Sequence, residues 1–121
     1  MNWKGESKNG LRIDIKEQEV PDFLKTVIFR VLQEALNNAA KYSKAGLVRV
    51  SLKTINARIE LLVEDNGQGF DVQQVYSTRS LTGGFGLTSM KERTELSGGL
   101  FSVESGRGCG TIVRTSWPLD K

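Results

Sequence analysis

A two-layer α/β sandwich, with a mixed, mostly antiparallel sheet and its helices on one face, is the fold class this sequence predicts. Three observations predict it: an apolar face recurring at helical spacing between Phe23 and Tyr42, two alternating segments that meet near Asn56, and a helix-strand-strand succession after Gly86. At 121 residues the chain has the size of one domain, and 38% apolar against 26% charged residues is ordinary for a globular core.

Residues 1–10 are polar and read as a flexible leader, with 11–121 as a single domain. Leu11, Ile13 and Ile15 alternate with Arg12, Asp14 and Lys16, the pattern of a half-buried strand. Pro21-Asp22 is a helix-start signal, and Leu24, Ile28, Val31, Leu32, Ala35, Leu36 and Ala39 fall on one broad face of a helix from about Phe23 to Tyr42. Gly46 breaks that run. Val48, Val50 and Leu52, then Ile59, Leu61 and Val63, alternate with polar residues as two strands of a hairpin turning near Asn56. Asp65 to Gly69 is a glycine loop, and residues 71–83 are polar with little periodicity. A connection that long and irregular within a compact domain predicts a mobile lid or binding loop. Gly86 opens a second helix that runs to Leu96 and stops at Gly98-Gly99. Phe101 and Val103 alternate with Leu100, Ser102 and Glu104, and after the Gly106–Gly110 turn a last strand, Thr111 to Trp117, ends before Pro118.

Composition excludes several kinds of chemistry. The chain has no histidine, so any reaction runs without an imidazole of its own. Its single cysteine, Cys109, rules out an intrachain disulfide and lacks the partners of a zinc site. The net charge of +3 is dispersed, without a basic run, and accommodates a phosphate-bearing small ligand as well as nucleic acid. No stretch reaches the roughly 18 apolar residues of a membrane span. The phosphate-loop pattern Gly-x-x-x-x-Gly-Lys-Ser/Thr does not occur, no dinucleotide fingerprint follows a strand, and the acidic residues near Asp65 lack the later Glu of a calcium loop.

Four polar or glycine-bearing segments remain. Glu34, Asn38 and Lys41 fall in one stripe of the first helix, expected roughly opposite the centre of its apolar arc, and bring together an acid/base group, a cation ligand and a phosphate partner. A solvated helix face would look the same. Asp65-Asn66-Gly67-Gln68-Gly69-Phe70 sets a carboxylate acceptor at a strand end beside glycines that leave room for a planar ring. Asn-Gly is also a hairpin signal, disfavoured here by the second glycine and the irregular segment that follows. Gly83-Gly84-Phe85-Gly86-Leu87 precedes a helix whose amide groups can turn toward an anion, or is a flexible linker. Gly106-x-Gly108-x-Gly110-Thr111 reads alone as a glycine-rich hairpin. Taken together, the first two segments read as a nucleotide site.

In the same order, Gln-Glu-Ala-Leu-Asn-Asn-Ala-Ala-Lys-Tyr (33–42), Asp-Asn-Gly-Gln-Gly-Phe (65–70), Gly-Gly-Phe-Gly-Leu (83–87) and Gly-Cys-Gly-Thr (108–111) resemble the asparagine box, the two glycine boxes and the final glycine-threonine element of sensor histidine kinases. The resemblance runs from about Phe23 to Pro118. Leu87-Thr-Ser-Met-Lys-Glu-Arg is similar to a stretch of the nitrate-sensor and lipid-fluidity-sensor branch. Tyr42 departs from that branch, which commonly has His there.

The resemblance implies the Bergerat ATP-binding fold, with ATP and Mg²⁺ as ligands. It implies that Asn38 ligates Mg²⁺, Lys41 meets phosphate oxygens, Asp65 accepts from the adenine amine and Thr111 assists through water. Gly67 and Gly69 would shape the adenine pocket, Gly84, Gly86 and Leu87 would carry the closure over the phosphates, and Glu34 would orient or deprotonate the acceptor. Implied partners are a helical dimerisation domain bearing the phosphoacceptor histidine, belonging to the same cytoplasmic or membrane-anchored kinase, and a response regulator downstream. Neither nucleic acid nor membrane contact is implied for this domain. Two alternatives share the fold: an anti-sigma factor serine kinase and a conformational ATPase of the gyrase or chaperone kind.

Overall fold

The computed structural model describes residues 4–6, 11–14, 20–41, 46–73 and 86–119. In chain order these form β1 (Lys4–Glu6), β2 (Leu11–Asp14), α1 (Asp22–Lys41), β3 (Val48–Ile55), β4 (Arg58–Asp65), α2 (Leu87–Leu96), β5 (Leu100–Ser105) and β6 (Thr111–Pro118). The strands make one six-stranded sheet in the order β1-β2-β3-β4-β6-β5. Among the described residues only β2 and β3 run parallel, with α1 between them in the chain, and every other pairing is antiparallel. The expected mixed, mostly antiparallel sheet is therefore what the chain forms.

Alternation along the strands decides which face is covered. In β4 the buried positions are Ile59, Leu61, Val63 and Asp65, and in β6 they are Thr111, Val113, Thr115 and Trp117. The register places Asp65 opposite Thr111, Val63 opposite Val113 and Ile59 opposite Trp117, so one face of the central strands is continuous. Onto it pack Leu24, Ile28, Val31 and Ala35 of α1 with Leu87 and Met90 of α2. Burial of this kind contributes about 25 cal/mol per Å² of apolar surface, which makes this layer the main source of stability. On the opposite face Arg114 reaches Glu104 at 3.6 Å and Glu60 at 4.0 Å, and Arg49 reaches Glu64 at 4.0 Å. Solvated pairs of that sort contribute about 0–1 kcal/mol each.

Local chemistry fixes the ends. Pro21 starts α1: its carbonyl accepts from Leu24 N–H at 2.9 Å, and Asp22 stands in the first turn, where negative charge suits the helix dipole. The β3–β4 hairpin closes through Asn56 and Ala57, both at positive φ (50° and 61°), which is the two-residue geometry that matches strand twist. At the end of α2, Gly99 N–H donates to Thr94 O (2.8 Å) and Gly98 N–H to Glu95 O (3.0 Å), the paired bonds of a Schellman stop. Trp117, wholly buried, donates from Nε1 to Ser97 Oγ at 2.9 Å and ties this stop to β6.

Three details differ from the sequence reading. The leader contains β1, which pairs with β2. Glu64 and Asp65 extend β4 past the last apolar alternation and place Asp65 inside the sheet, because both β3 and β6 supply partners that far along. Val72 and Gln73, expected to be irregular, are helical; the rest of the expected lid, residues 74–83, lies outside the described residues, as does Tyr42.

Candidate functional site

Asp65 is the last residue of β4, between Val48 and Thr111 on the neighbouring strands, and is buried to 9% exposure. Its Oδ1 accepts the Gly67 N–H at 2.8 Å, folding the chain back as soon as the strand ends. Asn66 Oδ1 accepts from both Gly46 N–H (3.0 Å) and Leu47 N–H (2.9 Å), and Asn66 N–H donates to Leu47 O at 3.2 Å. These three bonds hold the loop after β4 to the entry of β3, and with it the position of Asp65.

The final glycine turn packs directly on that loop. Gly69 has φ +69°, and a Cβ there would overlap the carbonyl oxygen of Gly106 and lie 2.9 Å from that of Gly110. Gly110 has φ +73°, and a Cβ there would overlap the backbone carbonyl of Asp65 itself. Two backbones in contact leave no room for any side chain, which is why glycine stands at both positions. Gly108 N–H also donates to Gln68 O. At the centre of the junction Ser105 Oγ accepts from Phe70 N–H (2.9 Å), donates to Gly110 O (2.8 Å) and meets Thr111 Oγ1 at 2.9 Å. Thr111, 6% exposed, stands on the buried face beside Asp65.

The helical side is brought in by α1 and the start of α2. Glu34 is half-buried and lies against Gly86, where a Cβ would overlap Glu34 Oε1. Asn38 is 8% exposed and Lys41 is the last residue of α1. The expectation that this stripe lies opposite the apolar arc needs correction. Asn38 stands three residues after Ala35 and seven after Val31, a spacing that shares their face, so the stripe borders the core and Asn38 is inside it. Among the described residues no side chain caps the N-terminus of α2, and its first turn carries no acidic residue, so its amide groups suit an anion. Leu87, wholly buried, anchors that end in the core.

Asp65, Gly67, Gly69 and Thr111 therefore converge at one end of the central strands, and Glu34 meets Gly86 across the two helices. Gly84 lies outside the described residues. Ser105 and Asn66 escaped the reading of the sequence as site residues. A lone serine at a strand end carries no signal of its own, whereas Asn66 lay in plain view inside the Asp65–Phe70 motif but read only as half of a turn. Among the described residues no three or more His, Cys, Asp or Glu side chains gather as a metal cluster, and no helix is long and apolar enough to cross a membrane.

Residues 24–121 match the family model of histidine kinase-, DNA gyrase B- and HSP90-like ATPases. The sensor histidine kinase LiaS of Bacillus subtilis is 38% identical over 106 residues, which is 88% of this chain and 28% of LiaS. The signal transduction histidine-protein kinase/phosphatase DegS of the same organism is 31% identical over 106 residues, 88% of this chain and 27% of DegS. The chain thus spans less than a third of the length of these relatives. Among solved structures, the ATP binding domain of PrrB from Mycobacterium tuberculosis superimposes with a TM-score of 0.63 at 25% identity, covering 79% of this chain and 69% of that one. The histidine kinase domain of the Erythrobacter litoralis EL346 blue-light activated kinase shares the fold, with a TM-score of 0.66 at 24% identity, over 83% of this chain and 46% of that one.

Proposed function

This chain belongs to the histidine kinase-, DNA gyrase B- and HSP90-like ATPase family, and from that premise we propose that it is the ATP-binding catalytic domain of a sensor histidine kinase. In this reading it binds Mg-ATP and presents the γ-phosphoryl group to a histidine on a separate helical dimerisation domain, from which a response regulator is served. The observation that carries the reading is the pairing of Asp65 with Thr111 on the buried face at one end of the central strands, where two glycine loops pack together. A buried carboxylate at a strand end suits the 6-amino group of adenine. Names of the relatives favour a histidine kinase over the two alternatives of the same fold.

The roles are those the resemblance implies, and the described positions support them. Asp65 accepts from adenine, Gly67 shapes the loop beside the ring, Gly69 lets that loop pack on the Gly106–Gly110 turn behind it, and Thr111 completes the polar edge. The amides at the start of α2, with Gly86 and Leu87, suit the phosphates, and Gly84 and Lys41 keep the parts the resemblance implies, closure over the phosphates and contact with their charge. Asn38 fits Mg²⁺ as a single neutral oxygen ligand, since such an ion keeps waters and takes most of its ligands from phosphate. When bound, the ion neutralises charge on the leaving phosphates. The acceptor imidazole nitrogen attacks the γ-phosphorus, the bond from that phosphorus to the bridging oxygen breaks, ADP leaves, and Glu34 takes the imidazole proton. Positioning supplies most of the rate.

Titration of the chain with ATP in the presence and absence of Mg²⁺ tests this assignment. Asn38→Ala is expected to lose the Mg²⁺-dependent part of ATP affinity and keep most of the rest. Equal loss in both conditions would make Asn38 a packing residue of the core it borders.

A further inference from the structure

The loop after β4 contains an Asn66-Gly67 pair, and the same dipeptide recurs at Asn9-Gly10, outside the described residues. An asparagine before glycine is open to a reaction of the chain with itself, because glycine has no side chain to keep its backbone nitrogen away from the asparagine amide. At position 66 the Gly67 nitrogen would give up its proton and attack Asn66 Cγ, the bond from Cγ to Nδ2 would break, and ammonia would leave with that proton. A five-membered imide remains. Water then opens one of its two carbonyl groups and leaves aspartate or isoaspartate at position 66. The reaction needs a Gly67 nitrogen free to lose its proton and an Asn66 side chain free to swing to it.

The folded chain meets neither need. Gly67 N–H donates to Asp65 Oδ1 at 2.8 Å. A bond to a carboxylate holds the proton in place and sets a negative charge beside the nitrogen that must itself become negative. Asn66 Oδ1 accepts from Gly46 N–H at 3.0 Å and Leu47 N–H at 2.9 Å, which ties the side chain across to the entry of β3. Asn66 N–H donates to Leu47 O at 3.2 Å, so the main chain is held to the same place. We propose that Asn66-Gly67 is a latent self-modification site, closed by the Asp65 carboxylate on one side and the Gly46 and Leu47 amides on the other, and opened when the loop after β4 lets go of β3. The chemistry requires only water and is independent of the nucleotide reading. Isoaspartate carries the main chain through the side-chain carbon, which adds one atom to the path from Asp65 to Gly67 in a loop already packed against Gly106 and Gly110.

The test is the rate of deamidation at each Asn-Gly pair, read by peptide mapping and mass spectrometry in mildly alkaline buffer, for the unsubstituted chain with and without urea and for Asp65→Ala without it. In urea, Asn9 and Asn66 are expected to react at similar rates. Without urea, Asn66 is expected to react at least about tenfold more slowly than with it, because the reaction then waits on local opening of the clamp. Asp65→Ala releases the Gly67 N–H and is expected to restore most of the lost rate while the thermal melt shows a folded chain. Should Asp65→Ala not fold, Asp65→Asn decides: it keeps an acceptor for the amide without the charge, and is expected to react faster at Asn66 than the unsubstituted chain. Equal rates at Asn66 with and without urea would show that the fold does not close the site. A rate at Asn66 in urea far below that at Asn9 would show a pair unreactive by its sequence alone, and a folded Asp65 variant as slow as the unsubstituted chain would show that the carboxylate takes no part; each of these results overturns the proposal.

Discussion

Supplied with Mg-ATP and a helical domain carrying the acceptor histidine, the chain is expected to phosphorylate that histidine, while alone it takes up no acid-labile, base-stable phosphate. The chain has no histidine of its own, and without a positioned acceptor its turnover of ATP is expected to be slow. Holding nucleophile and γ-phosphoryl together is worth on the order of 7–11 kcal/mol of barrier, so the contrast between the two mixtures should span many orders of magnitude. Glu34→Gln keeps the shape that packs against Gly86 and removes the base. Transfer should then slow by roughly 10²–10⁴-fold with ATP affinity nearly unchanged. Labelled ATP and acid-base stability of the product read both results. Vigorous hydrolysis by the chain alone, abolished in Glu34→Gln, would instead mark a gyrase-like ATPase.

Gly110→Ala is expected to cost the fold on the order of 3 kcal/mol and to abolish measurable nucleotide binding. The backbone at φ +73° is left-handed, which costs a non-glycine residue about 1–2 kcal/mol, and the new methyl group meets the Asp65 carbonyl, a backbone atom that cannot swing aside. A loss of that size lowers the melting midpoint of a domain this small by roughly 10 °C or more. Gly108→Ala is the control. Its φ is +81°, yet nothing lies within 4 Å of the added Cβ, so it bears only the conformational cost and should leave ATP binding in place. Equal melting points for the two variants would show that the turn does not press on Asp65 as described.

What could be read from the sequence was set by how local the cause is. The helix read as Phe23–Tyr42 is α1, Asp22–Lys41, because seven apolar residues at helical spacing and a proline start leave little alternative. The hairpin was legible from its alternation and from Asn56. The end of β4 was not: Glu64 and Asp65 are polar, and only the partners Arg49, Val48, Ile112 and Thr111 on two other strands make them part of a strand. The short β1 was missed because Lys4-Gly5-Glu6 has no apolar alternation and exists through its pairing with β2. At the site, Asp65 and the glycines announced themselves by type and order. Asn38 departs from its expected place because a polar residue at the edge of the apolar arc can be buried, and its type alone does not show that. Ser105 carries no signal in the sequence, since it joins Phe70, 35 residues away, to the carbonyl of Gly110.

The central claim, that Asp65 is the adenine acceptor of a nucleotide site, is tested most directly by calorimetric titration of the unsubstituted chain and Asp65→Asn with ATP and GTP. The unsubstituted chain is predicted to bind ATP at least tenfold more tightly than GTP, because a buried acceptor left facing a 6-oxo group costs about 1–3 kcal/mol. Asp65→Asn, which brings an amide donor to the same place, is predicted to erase that preference with an unchanged thermal melt. Equal affinities for ATP and GTP in the unsubstituted chain, or a preference that survives Asp65→Asn, would contradict the assignment.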